Sequence, residues 1–289
     1  MTSLDGATDW IDGRPATDGR VVLVNFWTLT CINWLRQAPW IRAWWRAYRD
    51  DGLVVVGVHT PEFSFEHDAT LVRRAVTERG IDYPVAVDDH SAIWTAFDNR
   101  FWPALYFADR DGVIRDFHVG EGRYEESERS LQRLLGVDRP LTAVAGNGVE
   151  AAADWDHLRT PEIYLGGGAE PGRRAYLHFN QWGTAGEWTA DPEKIVLAEP
   201  GGSIACHFQA RDVHVVLSPG AGGPVAFQVF LDGEAPGRHR GTDVDEGGRG
   251  MLRDGRLHHL IRQQGPVREL TVEIAFLGAG VEAYAFTFG

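Results

Sequence analysis

Cys31 stands in the stretch Phe26-Trp27-Thr28-Leu29-Thr30-Cys31-Ile32-Asn33-Trp34, where an apolar run of strand length ends and a helical pattern begins. A thiol at such a junction faces unpaired backbone N–H groups and the positive end of the helix dipole. That setting can bring a cysteine pKa from ~8.5 into the range ~3.5–7.5, where the thiolate is a ready nucleophile. Thr28 and Thr30 add hydroxyls that could hydrogen-bond a thiolate or its substrate. The same pattern also suits a small cysteine buried in a strand–helix turn, with no chemistry.

A second group follows the next apolar run, in Val58-His59-Thr60-Pro61-Glu62. Strand C-terminal ends face the crevice of open α/β sheets, so His59 could serve as a base and Glu62 as a proton carrier. The alternative is a hydrogen-bonded loop pair that fixes the turn. Trp27, Trp34, Trp94 and Trp102 could wall an apolar pocket, or simply be core. Arg100 or Arg36 could supply a cation for a thiolate. Cys31 with His59 is too few ligands for a closed metal site, so no metal and no cofactor is expected. The other cysteine lies in Gly202-Ser203-Ile204-Ala205-Cys206-His207-Phe208 and reads as a buried strand residue rather than a resolving thiol. Two cysteines exclude a disulfide scaffold and a four-cysteine zinc site. The acids of 121–128 suit a helix N-terminus. Asp243-Val244-Asp245-Glu246 lacks the calcium-loop spacing and reads as an exposed turn. Trp182 and Trp188, among Asn180, Gln181, Glu187 and Thr189, could stack on a sugar or anchor a core.

The elements that must position these residues are legible in outline. Residues 21–27 and 53–60 are apolar runs of buried-strand length. Between them Leu35, Ala38, Ile41, Arg42, Trp45 and Tyr48 recur at helical spacing. The spacing predicts a helix over 65–79 capped by Gly80, a strand over 83–88 and a short helix over 90–97. Strands over 104–109 and 113–119 meet at Arg110-Asp111-Gly112, a hairpin signal. An amphipathic helix over 124–136 closes the pattern. Strands alternating with helices predict a largely parallel sheet covered on both faces, with one antiparallel hairpin near its end. Beyond 172 come short strand-like runs at 175–179, 194–199, 202–210, 212–218, 225–231, 268–277 and 281–288, separated by Gly and Pro. These predict an all-β sandwich, a jelly roll above all. The expected domains are an α/β domain over 1–138, a linker over 139–172 and the sandwich over 173–289.

The length of 289 residues suits two domains. Hydrophobic residues at 44% and charged residues at 24% exclude general disorder. Acids outnumber bases 41 to 28, the net charge is −13, and Lys194 is the single lysine. With no basic stripe to neutralise phosphates, nucleic acid is not an expected partner. No stretch reaches the ~18–20 apolar residues of a membrane span. The opening MTSLDGATDWIDGRPATDGR has neither an apolar signal core nor a basic leader, so a cytoplasmic chain without a membrane partner is expected.

The pattern W-T-x-T-C-x-N-x ahead of a helix, with Pro39 eight residues after Cys31, resembles the thioredoxin-like redoxins of the AhpC/TSA type. Trp102-Pro103 just before ALYFAD matches the place of that fold's cis-proline. The segments VNFWTLTCIN, VVGVHTPEFSFEHD, FDNRFWPALYF, GEGRYEESER and the terminal AYAFTFG resemble the soluble C-terminal part of the DipZ family of cytochrome c biogenesis proteins. The resemblance implies a thioredoxin-like α/β domain followed by a jelly roll similar to carbohydrate-binding modules. It also implies an oxidoreductase in which Cys31 is the nucleophile and Pro103 positions substrate, assisted by Thr28, Thr30 or Glu62. Trp27, Trp34, His59, Arg100 and Trp102 would line the substrate site.

One departure reshapes this expectation. The family motif is Cys-x-x-Cys, and Trp34 stands at the second cysteine. Dithiol exchange needs a resolving thiol to release a mixed disulfide, which Trp34 cannot provide. Thr28, three residues before Cys31, also resembles part of the peroxiredoxin Thr-x-x-Cys motif. Single-cysteine chemistry is therefore expected, either a monothiol peroxidase or thiol exchange. Its partners would be a low-molecular-weight thiol, a peroxide or another small molecule. A homodimer is left open. The alternatives are a non-redox cysteine enzyme and a redoxin-derived binding module.

Overall fold

The computed structural model describes residues 3–168, 171–173 and 176–289. The chain divides into two units between Ala151 and Ala152. The first contains β1 (Asp9–Ile11), β2 (Val21–Trp27), α1 (Ile32–Tyr48), β3 (Leu53–His59), α2 (Ala69–Glu78), β4 (Val85–Val87), α3 (Ala92–Ala96), β5 (Ala104–Ala108), β6 (Ile114–Val119) and α4 (Tyr124–Leu135). Its sheet has the order β1-β4-β3-β2-β5-β6.

β2 and β3 are buried at every position. Strands covered on both faces carry continuous apolar runs, which is why VVLVNFW and LVVVGVH show no alternation. They run parallel with Trp27 opposite His59, so both end at one edge of the sheet. β5 lies antiparallel on the other side of β2 with Phe26 opposite Ala104. That register sets Pro103, just before β5, level with Trp27. The sheet is mixed rather than largely parallel: β5 runs against β2, β6 against β5 and β1 against β4. The chain re-enters beside β2 in the reverse direction after α3, and Asp9–Ile11, which carries no strong strand pattern, adds an edge.

α1 buries Leu35, Ala38, Ile41, Trp44 and Tyr48 against the sheet, the spacing of one helical face. The stretch 65–79 is not one helix. A 3₁₀ turn covers Ser64–His67, and Asp68 then starts α2 by accepting from the Thr70 N–H at 2.8 Å. Gly80 ends it at φ +59, where a residue without Cβ fits the left-handed turn.

The stretch 139–172 is divided between the two units rather than standing apart. Glu128 of α4 is wholly buried. It accepts from Trp44 Nε1 at 3.0 Å, Tyr48 Oη at 2.5 Å and the Thr142 N–H and hydroxyl at 2.8 and 2.6 Å. Arg42 grips Glu150 through both guanidinium nitrogens at 3.0 and 2.9 Å. These bonds fasten 142–150 to α1 and α4.

The second unit holds β7 (Ile163–Tyr164), β8 (Gly172–Arg173), β9 (Trp182–Ala185), β10 (Trp188–Ala190), β11 (Ile195–Leu197), β12 (Ser203–Gln209), β13 (Asp212–Ser218), β14 (Val225–Leu231), β15 (Arg249–Leu252), β16 (Arg256–Arg262), β17 (Glu269–Phe276) and β18 (Glu282–Phe288). One sheet runs β10-β11-β18-β13-β16, with β7 beside β18; the other runs β15-β14-β17-β12-β9-β8. Both feed one apolar core that includes Ile204, Phe208, Val215, Val229, Ile274 and Phe286, the arrangement of a β-sandwich. Within 175–179, residue 175 lies outside the described residues, and 176–179 form no strand. β16 escapes the sequence pattern because RLHHLIR looks polar, yet His258 and His259 are buried. His259 Nε2 meets Asp212 at 3.1 Å.

Candidate functional site

Cys31 is the residue that caps α1, with φ −71 and ψ 107, and its carbonyl accepts the first helical bond from Leu35 N–H at 3.0 Å. Its side chain is partly exposed and free of any disulfide. No acidic residue occupies the first turn of α1, so nothing there opposes the dipole's positive end.

The loop leading to it is held by a carboxylate that sequence reasoning overlooked. Glu66 is wholly buried. Its Oε1 accepts the Thr30 N–H at 3.1 Å and the Thr30 hydroxyl at 2.8 Å. Its Oε2 accepts the Thr28 hydroxyl, the Glu62 N–H at 2.6 Å and the Phe63 N–H at 3.1 Å. Burial pushes the carboxyl pKa above its ordinary value, against the pull of these bonds. Its one local mark is half of a capping box, a glutamate reaching back to the N–H three residues earlier, but Phe63 stands where the hydroxyl residue that flags such a box would be.

Thr28 and Thr30 are buried and give their hydroxyl hydrogens to Glu66. They build the loop and do not donate to the thiol. Glu62 is half-buried and joins the network through its backbone.

Three residues expected to touch substrate lie beneath the site. Trp27, Trp34 and His59 are buried at 0%, 1% and 0% exposure. Trp34 stacks on Trp27 with ring centroids 4.3 Å apart, and Trp27 meets the His59 ring edge-on at 4.9 Å. Trp34 Nε1 donates to Asn25 Oδ1 at 3.0 Å, Asn25 Nδ2 to Gln37 Oε1 at 3.0 Å, and Gln37 Nε2 to the Gly120 carbonyl at 3.2 Å. Trp34 is thus a core residue and cannot shield the sulfur as part of a pocket wall. Burial lowers the His59 pKa to about 3, so the ring is neutral, and neither nitrogen has a hydrogen-bond partner. That removes it as a solvent-facing base.

The cations also differ from expectation. Arg36 is buried in a pair with Glu121 at 3.0 Å. Arg100 is 71% exposed and pairs with Asp98 at 3.1 Å. Trp102 is half-buried against Trp94, with centroids 4.3 Å apart. The Trp102–Pro103 peptide bond is cis, and the Pro103 carbonyl accepts from Gly120 N–H at 2.8 Å.

Cys206 is fully buried in the sandwich core, where desolvation pushes its pKa up to about 12. Trp182 is core as well, and Trp188 is half-buried, with its N–H spent on the Ala185 carbonyl at 3.0 Å. Neither offers an open stacking platform. Among the described residues no three His, Cys, Asp or Glu side chains are grouped to hold a metal ion, and no helix is long and apolar enough to cross a membrane. A cavity of about 230 Å³ between β6 and α4, lined in part by Asp116, His118, Arg123 and Arg133, contains none of the expected site residues.

Residues 11–117 match the AhpC/TSA family, and residues 160–289 match the thioredoxin-like C-terminal domain. Protein DipZ of Mycobacterium tuberculosis is 32% identical over 255 residues, which cover 80% of this chain and 36% of DipZ. The chain is thus similar to DipZ over four fifths of its own length. It spans about a third of the length of that relative. The redoxin domain is also similar to the thiol-disulfide oxidoreductase YkuV of Bacillus subtilis, 28% identical over 139 residues, covering 47% of this chain and 93% of YkuV. The solution structure of a thioredoxin-like protein in the oxidized form aligns with a TM-score of 0.44 at 27% identity, over 48% of this chain and 96% of that one.

Proposed function

We propose that the redoxin domain carries out thiol–disulfide exchange with Cys31 as its lone nucleophile. One observation carries this reading. Cys31 stays accessible at the N-terminus of α1, while the resolving position is filled by a tryptophan locked into the core. The likeness to a relative named a thiol-disulfide oxidoreductase supports the same class.

In the first step the Cys31 thiolate attacks a disulfide R–S–S–R′. A bond forms from Cys31 Sγ to RS, and R′S⁻ leaves with the electron pair of the broken S–S bond. A second thiolate, R″S⁻, then attacks the R sulfur. This gives R–S–S–R″ and returns the Cys31 thiolate. Without a cysteine at position 34 the second thiol must come from outside, so the mixed disulfide persists until a small thiol arrives. Exchange is favoured over peroxide reduction because the polar groups that would polarise an O–O bond are engaged elsewhere. The Thr28 and Thr30 hydroxyls donate to Glu66, and Arg36 is held by Glu121.

The test is to mix the reduced protein with oxidised glutathione and follow intact mass. One glutathionyl adduct is expected at Cys31, stable to buffer exchange and released by added thiol, with none on Cys31→Ser. No adduct under conditions where iodoacetamide labels Cys31 overturns the reading. Rapid gain of oxygen from hydrogen peroxide, with no adduct from the disulfide, replaces it with a peroxidase.

A further inference from the structure

The Glu66 carboxylate joins two loops that end neighbouring strands. From the β2 side it takes Thr28 and Thr30, and from the β3 side the backbone of Glu62 and Phe63. Five donors converge on two oxygens. Five donors set against roughly four lone-pair directions of a carboxylate favour the ionised form and work against the upward push of burial. The arrangement is that of a buried anion stabilised by N–H and O–H donors.

We propose that Glu66 is a positioning residue for Cys31: it fixes the 28–31 loop against the 62–66 turn, and its buried charge restrains ionisation of the neighbouring thiol. This rests on the exchange reading for its purpose, since a lone thiol must be placed for in-line attack and must not be consumed by every oxidant it meets. The carboxylate holds the Thr30 N–H at 3.1 Å, and Cys31 is the next residue. With ~3.8 Å between consecutive Cα atoms, the carboxylate and the sulfur lie within roughly 10 Å of each other. A like charge at that range in a partly desolvated site disfavours the thiolate. It therefore sets a brake on the acidifying effect of the α1 N-terminus.

The other ionisable groups around this end of the sheet are engaged with partners of their own or buried: after β4, the buried Asp88 accepts the Thr60 hydroxyl at 3.1 Å and the Ile93 and Trp94 N–H groups at 3.0 and 2.9 Å. On β3, His59 is buried and neutral. On the turn, Glu62 is half-buried, and His67 lies 3.6 Å from Asp89. On α1, Arg36 is paired with Glu121, and before β5, Arg100 is paired with Asp98. Glu66 itself is held by hydroxyl and backbone donors in all five of its bonds.

Two quantities separate charge from placement: the pH midpoint of Cys31 alkylation by iodoacetamide and the high-pH rate of its disulfide exchange. The midpoint reports the thiolate's energy. The plateau of disulfide exchange at high pH, where the thiol is fully ionised, reports its placement after correction for the fall in nucleophilicity of about 0.4–0.5 log unit per unit of pKa. Glu66→Gln keeps the size, removes the charge and sets an amide donor among donors. The expected result is a midpoint lower by about half to one pH unit together with a reduced exchange plateau. Thr28→Val keeps the charge and removes one donor, so its plateau should fall while its midpoint stays. An unmoved midpoint in Glu66→Gln, with native circular dichroism, overturns the charge role. An unmoved plateau in both variants overturns the placement role. Should Glu66→Gln fail to fold, Thr28→Val and Thr30→Val decide placement: reduced plateaus at a wild-type midpoint uphold it, and unchanged plateaus overturn it. Because alkylation needs no disulfide substrate, absence of exchange in the wild type defeats the exchange reading and leaves the midpoint comparison standing.

Discussion

The Trp34 indole N–H donates to Asn25 Oδ1 at 3.0 Å, and Asn25 spends its own amide on Gln37. An asparagine in the middle of a fully buried strand is costly unless it is satisfied. Here the tryptophan of α1 satisfies it. The residue in the resolving position is therefore part of the polar stitching between β2 and α1, and it stacks on Trp27 besides.

Trp34→Phe should consequently act on stability rather than on the thiol. It leaves the Asn25 oxygen without its donor and opens space beside Trp27. A loss of about 2–4 kcal/mol is expected, read as a lower urea midpoint for the redoxin domain. The alkylation rate of Cys31 in the folded state should hold. A large change in that rate with stability intact would return Trp34 to the substrate site.

Cysteine labelling should be all-or-none between the two thiols. Cys206 is buried and its pKa stands near 12, whereas Cys31 is partly exposed. Native protein should take up one maleimide, at Cys31. A second should follow only in denaturant, and peptide mapping distinguishes the two.

Buried neutral histidines make the fold acid-sensitive. The His59 pKa in the folded state is about 3 against an ordinary 6.5. A lowered value means the unfolded chain binds the proton more readily. The stabilising contribution is complete above pH 6.5 and is lost as pH falls toward 3, at up to ~1.4 kcal/mol per pH unit. His258, also lowered to about 3 by burial, does the same in the sandwich. The opening free energy read from hydrogen exchange in β2 and β3, with the intrinsic pH dependence of the exchange rate divided out, should fall between pH 6 and pH 4, and His59→Phe should flatten that dependence while leaving β16 unaffected. His258→Phe should show the reverse pattern.

Arg36 and Glu121 form a pair with side chains 2% and 8% exposed. Burial pushes Glu121 up, and Arg36 pulls it back. Arg36→Met strands the acid and should cost about 3–5 kcal/mol, with most of it recovered in the double variant with Glu121→Gln. Arg100→Ala, at an exposed pair, should change neither stability nor the alkylation of Cys31. A faster or slower thiol in Arg100→Ala would restore that arginine to the site.

The parts of this molecule that depend on local pattern could be read from its sequence. The unbroken runs of β2 and β3, the face of α1, the Arg110-Asp111-Gly112 hairpin and the place of Cys31 all express short-range periodicity or turn chemistry. Glu66 could not be read in that way. Its importance arises when Thr28 and Thr30, 38 and 36 residues earlier, close onto it. In isolation Phe-Ser-Phe-Glu-His-Asp reads as a loop. The threonines were rightly placed beside the cysteine, but their hydroxyls point to a partner that no spacing rule names. His59 and the tryptophans show the same limit. Sequence brought them to the correct end of the sheet, but only packing decides which lie beneath the surface. β16 was lost because its buried histidines look like solvent-facing residues until Asp212 is found beside one of them.

The bond from Trp34 to Asn25 also limits which substitutions this chain can accept at position 34. A tryptophan codon lies a single base change from a cysteine codon, so the dithiol motif is within mutational reach. Trp34→Cys would nevertheless leave an indole-sized void against Trp27 and an unanswered amide oxygen on Asn25, inside the strand that carries the site. A chain that gained a cysteine at position 34 would first have to reshape its core. The tryptophan at this position is thus entrenched by its neighbours: the single-cysteine loop is held in place by residues buried beneath it.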